Sequence, residues 1–153
     1  MRLRLYALVM SRPTNTQFAV AAHVLLLLAE DPRRPRSSEE MAPSVQASPV
    51  YLRRVLGHLR RAGLVVSRPG AGGGWQLTRA TDAITLGDAW RAVQGDDPVL
   101  GLHGPAEACP VGREVGVLFV GLQDRVSQAI EAELDRTTLA QAAARLAAPP
   151  AAA

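Results

Sequence analysis

The chain has 153 residues and one cysteine, so it can hold one domain with an appended element but neither an internal disulfide framework nor a four-cysteine metal site. Aromatic residues make up only 4% of the chain, so its core must consist mainly of leucine, valine and alanine, which favours helices over sheets. The net charge is +3, but residues 1–79 hold 12 arginines and 4 acids whereas residues 80–153 hold 5 arginines and 10 acids, so a polyanionic partner is expected for the first half only.

The N-terminal segment, residues 1–13, is predicted to be disordered or an over-extended start, with either Met1 or Met10 as the true first residue. The polar run Ser11–Gln17 makes the preceding apolar stretch too short for the apolar core of a signal peptide. The apolar run Phe18–Ala29 is too short to span a bilayer. We therefore expect a cytoplasmic protein that makes no membrane contact.

The first helix is predicted over Thr14–Ala29, where closely spaced apolar residues leave little polar face, so it should be largely buried. His23 lies within this helix, and a structural role is favoured for it over a ligand or switch role. A proline-punctuated loop, Glu30–Arg36, is expected to follow.

The next segment predicts a helix-turn-helix. Ser37 or Ser38 caps a short helix that should end near Ala42-Pro43-Ser44, and Val45–Ala47 forms the turn. The second helix, Ser48–Ala62, begins with a serine cap and a proline at its first position, and Gly63 is placed to end it. Its apolar stripe consists of Leu52, Val55, Leu56 and Leu59, and its arginines off that stripe are Arg53, Arg54, Arg60 and Arg61.

A β-hairpin is predicted after this basic helix. Leu64–Val66 and Trp75–Leu77 read as strands, and the segment 68–74 between them is a glycine-rich loop. A phosphate-binding P-loop is excluded because Trp75 follows the glycines where such a loop needs Lys-Ser/Thr. We expect Trp75 to lie in the core under the hairpin rather than to stack on bases. A basic helix followed by such a hairpin is typical of a winged helix-turn-helix, which binds DNA.

The C-terminal third predicts a short helix, an irregular stretch and a long helix. Thr85 is the expected cap of the short helix Gly87–Val93, and Gln94–Glu107 should be irregular. The long helix spans Val111–Arg136 with one apolar stripe of about five turns. A homodimer seam is favoured over packing on its own domain, because a winged domain alone is too small to cover that stripe. The seam residues are Val115, Leu118, Phe119, Leu122, Val126 and Ile130.

The predicted fold class is therefore mainly α with a small β-hairpin: a winged helix-turn-helix domain plus a long C-terminal dimerisation helix. The expected divisions after residues 1–13 are the DNA-binding domain 14–93, a sensor-type loop 94–110, the dimerisation helix and tail 111–148, and a disordered end 149–153.

Several phrases strongly resemble the Rrf2 family, the regulators of the IscR, NsrR and CymR type. They are TQFAVAAHVLLLLAE, SPVYLRRVLGHLRRAGLVVSRPGAGGGWQLTR, ITLGDAWRAVQG and the CPVG segment before the long helix, and the resemblance covers roughly Thr14 to Leu139. It implies a homodimeric bacterial transcription factor, usually a repressor, whose recognition helix enters the major groove and whose wing touches the minor groove or backbone. The partners it implies are double-stranded operator DNA and a second copy of the chain.

The chain departs from the cluster-binding members of that family. They carry three closely spaced cysteines before the long helix, whereas this chain has only Cys109, with His103 and Glu107 as rarer ligand types nearby. We therefore expect no cofactor and no bound metal. Cys109 is instead a candidate redox sensor, because helix N-termini and cations such as Arg113 favour the reactive thiolate. The alternative is a small buried apolar side chain.

The residues expected at DNA fall into three groups by role. Base reading is assigned to Val50, Arg53 and Arg54, although both arginines could equally hold phosphates. Contacts that set the register on the DNA backbone are assigned to Ser38 (or Ser37), Ser48, Tyr51 and Arg61. Wing contacts are assigned to Arg68, Gly72, Gly73 and Gly74.

Two other classes of function remain as alternatives. A protein-interaction module with a degenerate winged fold would need an apolar exposed recognition face, whereas this one bears four arginines. An enzyme is the weakest option, because no nucleophile–base pair or metal-ligand spacing is present, and His58 reads as structural or as a backbone contact.

Overall fold

A computed structural model describes residues 16–101 and 108–147. The terminal segments 1–13 and 149–153 lie outside these residues, and so do His103 and Glu107. In chain order the described elements are α1 (Thr16–Glu30), α2 (Ser38–Val45), α3 (Pro49–Arg61), β1 (Val65–Arg68), β2 (Gly74–Leu77), a 3₁₀ turn (Thr81–Ala83), α4 (Leu86–Gln94), α5 (Pro110–Asp135) and α6 (Leu139–Ala147). The predicted fold class, mainly α with one antiparallel hairpin, is confirmed.

The first helix of the helix-turn-helix is longer than predicted. Ser37 caps α2 by accepting a hydrogen bond from the amide of Glu40, and the helix runs through Pro43 to Val45. The helix therefore ends one residue beyond its predicted end near Ala42-Pro43-Ser44, and it includes Val45, which was predicted to begin the turn. Gln46 closes the helix in the left-handed conformation (φ 53°) and donates its amide to the carbonyl of Ala42, so the turn needs no glycine.

The predicted stripe of α3 forms the centre of the core. Leu52, Val55, Leu56 and Leu59 are fully buried. Gly63 ends the helix as predicted, with φ 72° and its amide bonded to the carbonyl of Arg60, while the amide of Leu64 donates to the carbonyl of Leu59. This Schellman closure turns the chain directly into β1. The opposite face of α3 is exposed to solvent.

The C-terminal end of α5 is fastened to the winged domain at α4. Thr85 caps α4 as predicted and forms a reciprocal capping box with Asp88. Arg91 donates two hydrogen bonds of 2.9 Å to the carboxylate of Asp135. The guanidinium of Arg91, followed by the hydroxyl of Thr85, holds the pKa of Asp135 below its usual value. The C-terminal end of α5 is thus held against α4.

The rest of α5 contrasts with this fixed end. Of its 26 residues only Gly112 is buried. Val117, Leu118 and Val120 are more than half exposed. In the described part of the chain, no helix has the length and apolar character needed to cross a membrane.

Candidate nucleic-acid interface

The outer face of α3 is polar, basic and open to solvent. Ser48 caps the helix by accepting a hydrogen bond of 3.2 Å from the amide of Tyr51. Val50, close to that cap, is 70% exposed, and Arg53 and Arg54 follow on the same exposed side. Tyr51 differs from them because it is half-buried against the core. The predicted base-reading residues therefore share one accessible surface.

The arginines of this surface differ in their partners. Within the described residues, the side chains of Arg54, Arg60 and Arg68 make no ion pair and no hydrogen bond, so their guanidinium groups are available to an anion. Arg61 donates to Nδ1 of His58 over 2.9 Å. Burial first, and then the charges of Arg61 and Arg54, lower the pKa of His58, so this imidazole is neutral at pH 7 and accepts that bond.

Arg53 is held by the preceding helix, which the sequence did not predict. Its Nη1 donates to Oε1 of Glu39 and lies 3.5 Å from the hydroxyl of Ser38. That hydroxyl in turn donates to Oε2 of Glu39 over 3.1 Å. The backbone amide of Glu39 at the start of α2, followed by Ser38 and Arg53, holds the pKa of Glu39 below its usual value, so the pair is ionised at neutral pH.

Ser38 is buried, whereas its predicted role as a contact with the DNA backbone requires an exposed side chain. It is 3% exposed and its hydroxyl is engaged by Glu39 and Arg53, so it has no access to a DNA phosphate. The burial of Ser38 therefore argues against its predicted contact with the DNA backbone, and Ser37, the other serine considered for the start of α2, is the actual cap.

The wing is a two-stranded hairpin with a glycine tip. Val65 pairs with Leu77 and Arg68 with Gly74 across the strands, and the amide of Gly73 closes the tip on the carbonyl of Gly70 at 3.0 Å. Gly72 has φ 74°, and a Cβ on Gly73 would lie 2.2 Å from the carbonyl oxygen of Arg68. The tip conformation thus depends on glycine.

The base of the wing is anchored by contacts that sequence reasoning missed. Arg36 and Trp75 form a β-bridge with hydrogen bonds of 3.1 and 2.8 Å, and Trp75 packs against the core as predicted. The buried amide side chain of Gln76 donates to the carbonyl of Arg33 over 2.7 Å. The only sign of this anchor in the sequence is that Gln76 is a polar residue at an inward-facing strand position, and its partner is 43 residues away in the chain.

The predicted dimer seam lies on the exposed helix α5. Leu118 is 57% exposed, while the remaining seam positions are half-buried: Val115, Phe119, Leu122, Val126 and Ile130. Near the C-terminal end, an open apolar groove is lined by Val126, Ala129, Ile130 and Leu134. The predicted seam is thus a partly exposed apolar surface.

Cys109 is exposed and forms the cap of α5. Its Sγ accepts a hydrogen bond of 3.4 Å from the amide of Gly112. A single thiolate does not fit an iron–sulfur cluster bound as in cluster-binding regulators, since such clusters take most of their ligands from cysteine. Within the described ranges no group of three acidic, histidine or cysteine residues is arranged to hold a metal ion.

Comparison with known proteins agrees with this geometry. Residues 14–145 match the Rrf2 family, described as iron-dependent transcriptional regulators. The Bacillus subtilis (strain 168) protein YwnA, a putative HTH-type transcriptional regulator, is 34% identical over 126 residues, which are 82% of this chain and 92% of YwnA. The HTH-type transcriptional regulator CymR of the same organism is 35% identical over 105 residues, 69% of this chain and 70% of CymR.

Solved structures show the same architecture. That of CymR, the global cysteine regulator of B. subtilis, matches with a TM-score of 0.62 and 30% identity over 87% of this chain and 97% of CymR. IscR of T. potens matches with a TM-score of 0.64 and 28% identity over 95% of both chains. The relatives YwnA and CymR are described as transcriptional regulators and not as enzymes. With a winged fold and a family match over nearly its whole length, the chain belongs to the Rrf2 family of transcriptional regulators.

Proposed function

We propose that the protein is a sequence-specific DNA-binding regulator that acts as a homodimeric repressor in the bacterial cytoplasm. The observation that carries this proposal is the outer face of α3, where Arg54 and Arg60 are exposed without partners among the described residues and Arg53 is held beside them. A serine-capped helix N-terminus and the wing with Arg68 belong to the same winged domain. Exposed guanidinium groups bind phosphates and make bidentate contacts to guanine.

A homodimer is supported by α5. A helix of 26 residues with an apolar stripe that its own chain covers only in part needs a partner of comparable length, and a second copy provides the same stripe through a twofold axis. Two recognition helices would then contact two half-sites of one duplex. The protein-interaction alternative has less support, because the exposed face of α3 is charged rather than apolar.

Replacing Arg53 or Arg54 by alanine is expected to change base preference, whereas Arg68→Ala should weaken binding to all sequences. A bidentate arginine–guanine contact contributes roughly 1–3 kcal/mol of discrimination, and a phosphate contact contributes none. The measurement is selection from a random-sequence duplex library by wild type and each variant, followed by salt titration of the selected duplex. Unchanged base preference in both α3 variants would refute α3 as the reading helix.

We include in the proposal a response to thiol oxidants through Cys109, which is supported by its exposure and its place at the N-terminus of α5. A peroxide would convert the thiolate to a sulfenic acid with release of hydroxide or water, or two Cys109 thiols would lose two protons and two electrons to form an intersubunit disulfide.

The oxidised protein is expected to bind the selected duplex with an affinity different from that of the reduced protein, and Cys109→Ser should abolish the difference. Binding is measured before and after treatment with peroxide and again after a thiol reductant. Equal affinity of reduced, oxidised and Cys109→Ser protein would exclude the thiol response while leaving DNA binding intact.

A further inference from the structure

The ion pair between Glu39 and Arg53 joins the two helices of the helix-turn-helix. Both side chains are exposed, at 60% for Glu39 and 51% for Arg53. Exposed ion pairs typically contribute little to stability. Its contribution to folding is therefore small, and its main effect is on where the guanidinium of Arg53 lies.

Comparison with the neighbouring Arg54 shows what the contact between Glu39 and Arg53 changes. Arg54 has no ion pair or hydrogen bond within the described residues, so its side chain is free to reach any nearby phosphate. Arg53 uses its Nη1 for Glu39 and Ser38, and no other residue in the described part of the chain bonds to the Nη2 and Nε edge of its guanidinium. Two parallel N–H donors on that edge suit the O6 and N7 acceptors of guanine.

The carboxylate also lowers the attraction of Arg53 for phosphate. Since the Glu39 carboxylate lies against the guanidinium and repels a second anion, a phosphate contact by Arg53 is disfavoured, whereas hydrogen bonding to a neutral base edge is retained. Holding the side chain in place also reduces the conformational entropy lost on binding.

We propose that Glu39 is a positioning residue for DNA recognition, which holds Arg53 for guanine and keeps it off the phosphates. This inference deepens the proposed function and rests on it.

The test is Glu39→Gln, with Glu40→Gln as a matched control. Both substitutions remove one carboxylate from the first turn of α2, but Glu40 pairs with Arg34 in the preceding loop, over 2.7 Å, and not with the recognition helix. The probes are the duplex selected by the wild-type protein and a scrambled duplex of equal length. Affinity is measured for the full-length variants across a salt series.

Glu39→Gln is expected to lower the ratio of affinities for selected over scrambled duplex by about tenfold, within the range of one arginine–guanine contact. The affinity for scrambled duplex should rise, with a salt dependence steeper by about one unit of slope, because Arg53 now takes a phosphate. Glu40→Gln should leave the ratio unchanged. A structural role for Glu39 would instead weaken binding to both duplexes.

The inference is overturned if Glu39→Gln leaves the ratio unchanged, or if Glu40→Gln lowers it equally. Arg53→Ala distinguishes the role of Glu39 from that of Arg53 itself. If Arg53→Ala changes base preference and Glu39→Gln does not, only the positioning role of Glu39 fails. If Arg53→Ala leaves base preference unchanged, the reading role of Arg53 fails, and the role of Glu39 fails with it.

Discussion

Replacing Leu118 by glutamate is expected to convert the protein into a monomer and to lower its affinity for the selected duplex by about 10²–10⁴-fold. Leu118 lies on the predicted seam and is 57% exposed within one chain, so the substitution leaves the core of the single chain intact. In a twofold dimer it would place a carboxylate from each copy in an apolar interface, where unpaired charges are strongly unfavourable. Loss of the second half-site contact removes the gain from bivalent binding.

Val117→Glu is the matched control for this experiment. Val117 is 71% exposed, but at 3.6 residues per turn it lies on the side of α5 away from Leu122 and Val126. Mass measurement by light scattering at micromolar concentration should give a dimer for wild type and Val117→Glu and a monomer for Leu118→Glu. A dimer that survives Leu118→Glu, or is lost in Val117→Glu, would place the seam on another face.

The order of the elements could be predicted because their ends are set by local chemistry. Ser48 and Thr85 cap helices through hydrogen bonds to residues three positions on, and Gly63 ends a helix through its own conformation, so each signal lies within one turn of sequence. The end of α2 lies one residue beyond its predicted end near Ala42-Pro43-Ser44. The cap that closes the helix, Gln46, has a conformation that glutamine rarely adopts, so little in the sequence indicates it.

The candidate site could be predicted only in part. The exposure of Arg53 and Arg54 follows from helical spacing alone, since they lie off the apolar stripe of α3. The burial of Ser38 and the pairing of Glu39 with Arg53 depend on how α2 packs on α3, which no spacing within one helix reveals. The same holds for Gln76, whose partner carbonyl belongs to a loop far along the chain.

Gly74 could be recognised from sequence as part of a flexible wing loop, but its structural role is close packing. Its φ is 142°, and a Cβ at this position would lie 2.7 Å from the backbone carbonyl carbon and oxygen of Arg36. That carbonyl accepts the hydrogen bond from the amide of Trp75. Because the obstacle is backbone, no side-chain movement can relieve it.

Gly74→Val is therefore expected to break the bridge between Arg36 and Trp75 and to lower the free energy of unfolding. The backbone conformation alone costs roughly 1–3 kcal/mol for a side-chain-bearing residue, and each lost hydrogen bond adds about 0.5–1.5 kcal/mol. For a chain of this length the unfolding midpoint should fall by about 5–10 °C, measured by circular dichroism. The affinity for the selected duplex should fall as well, even well below that midpoint, because the wing loses its anchor.

Gly72→Asn is the control that separates conformational freedom from close packing. Gly72 also has a positive φ, of 74°, but a Cβ added there would meet no atom within 4 Å, and asparagine tolerates this conformation better than other residues. It should leave the midpoint within about 2 °C of wild type. If Gly74→Val were as stable as Gly72→Asn, the bridge to Arg36 would not hold the wing. If both lost DNA affinity at full stability, the glycine tip itself, rather than its anchor, would be the element that contacts DNA.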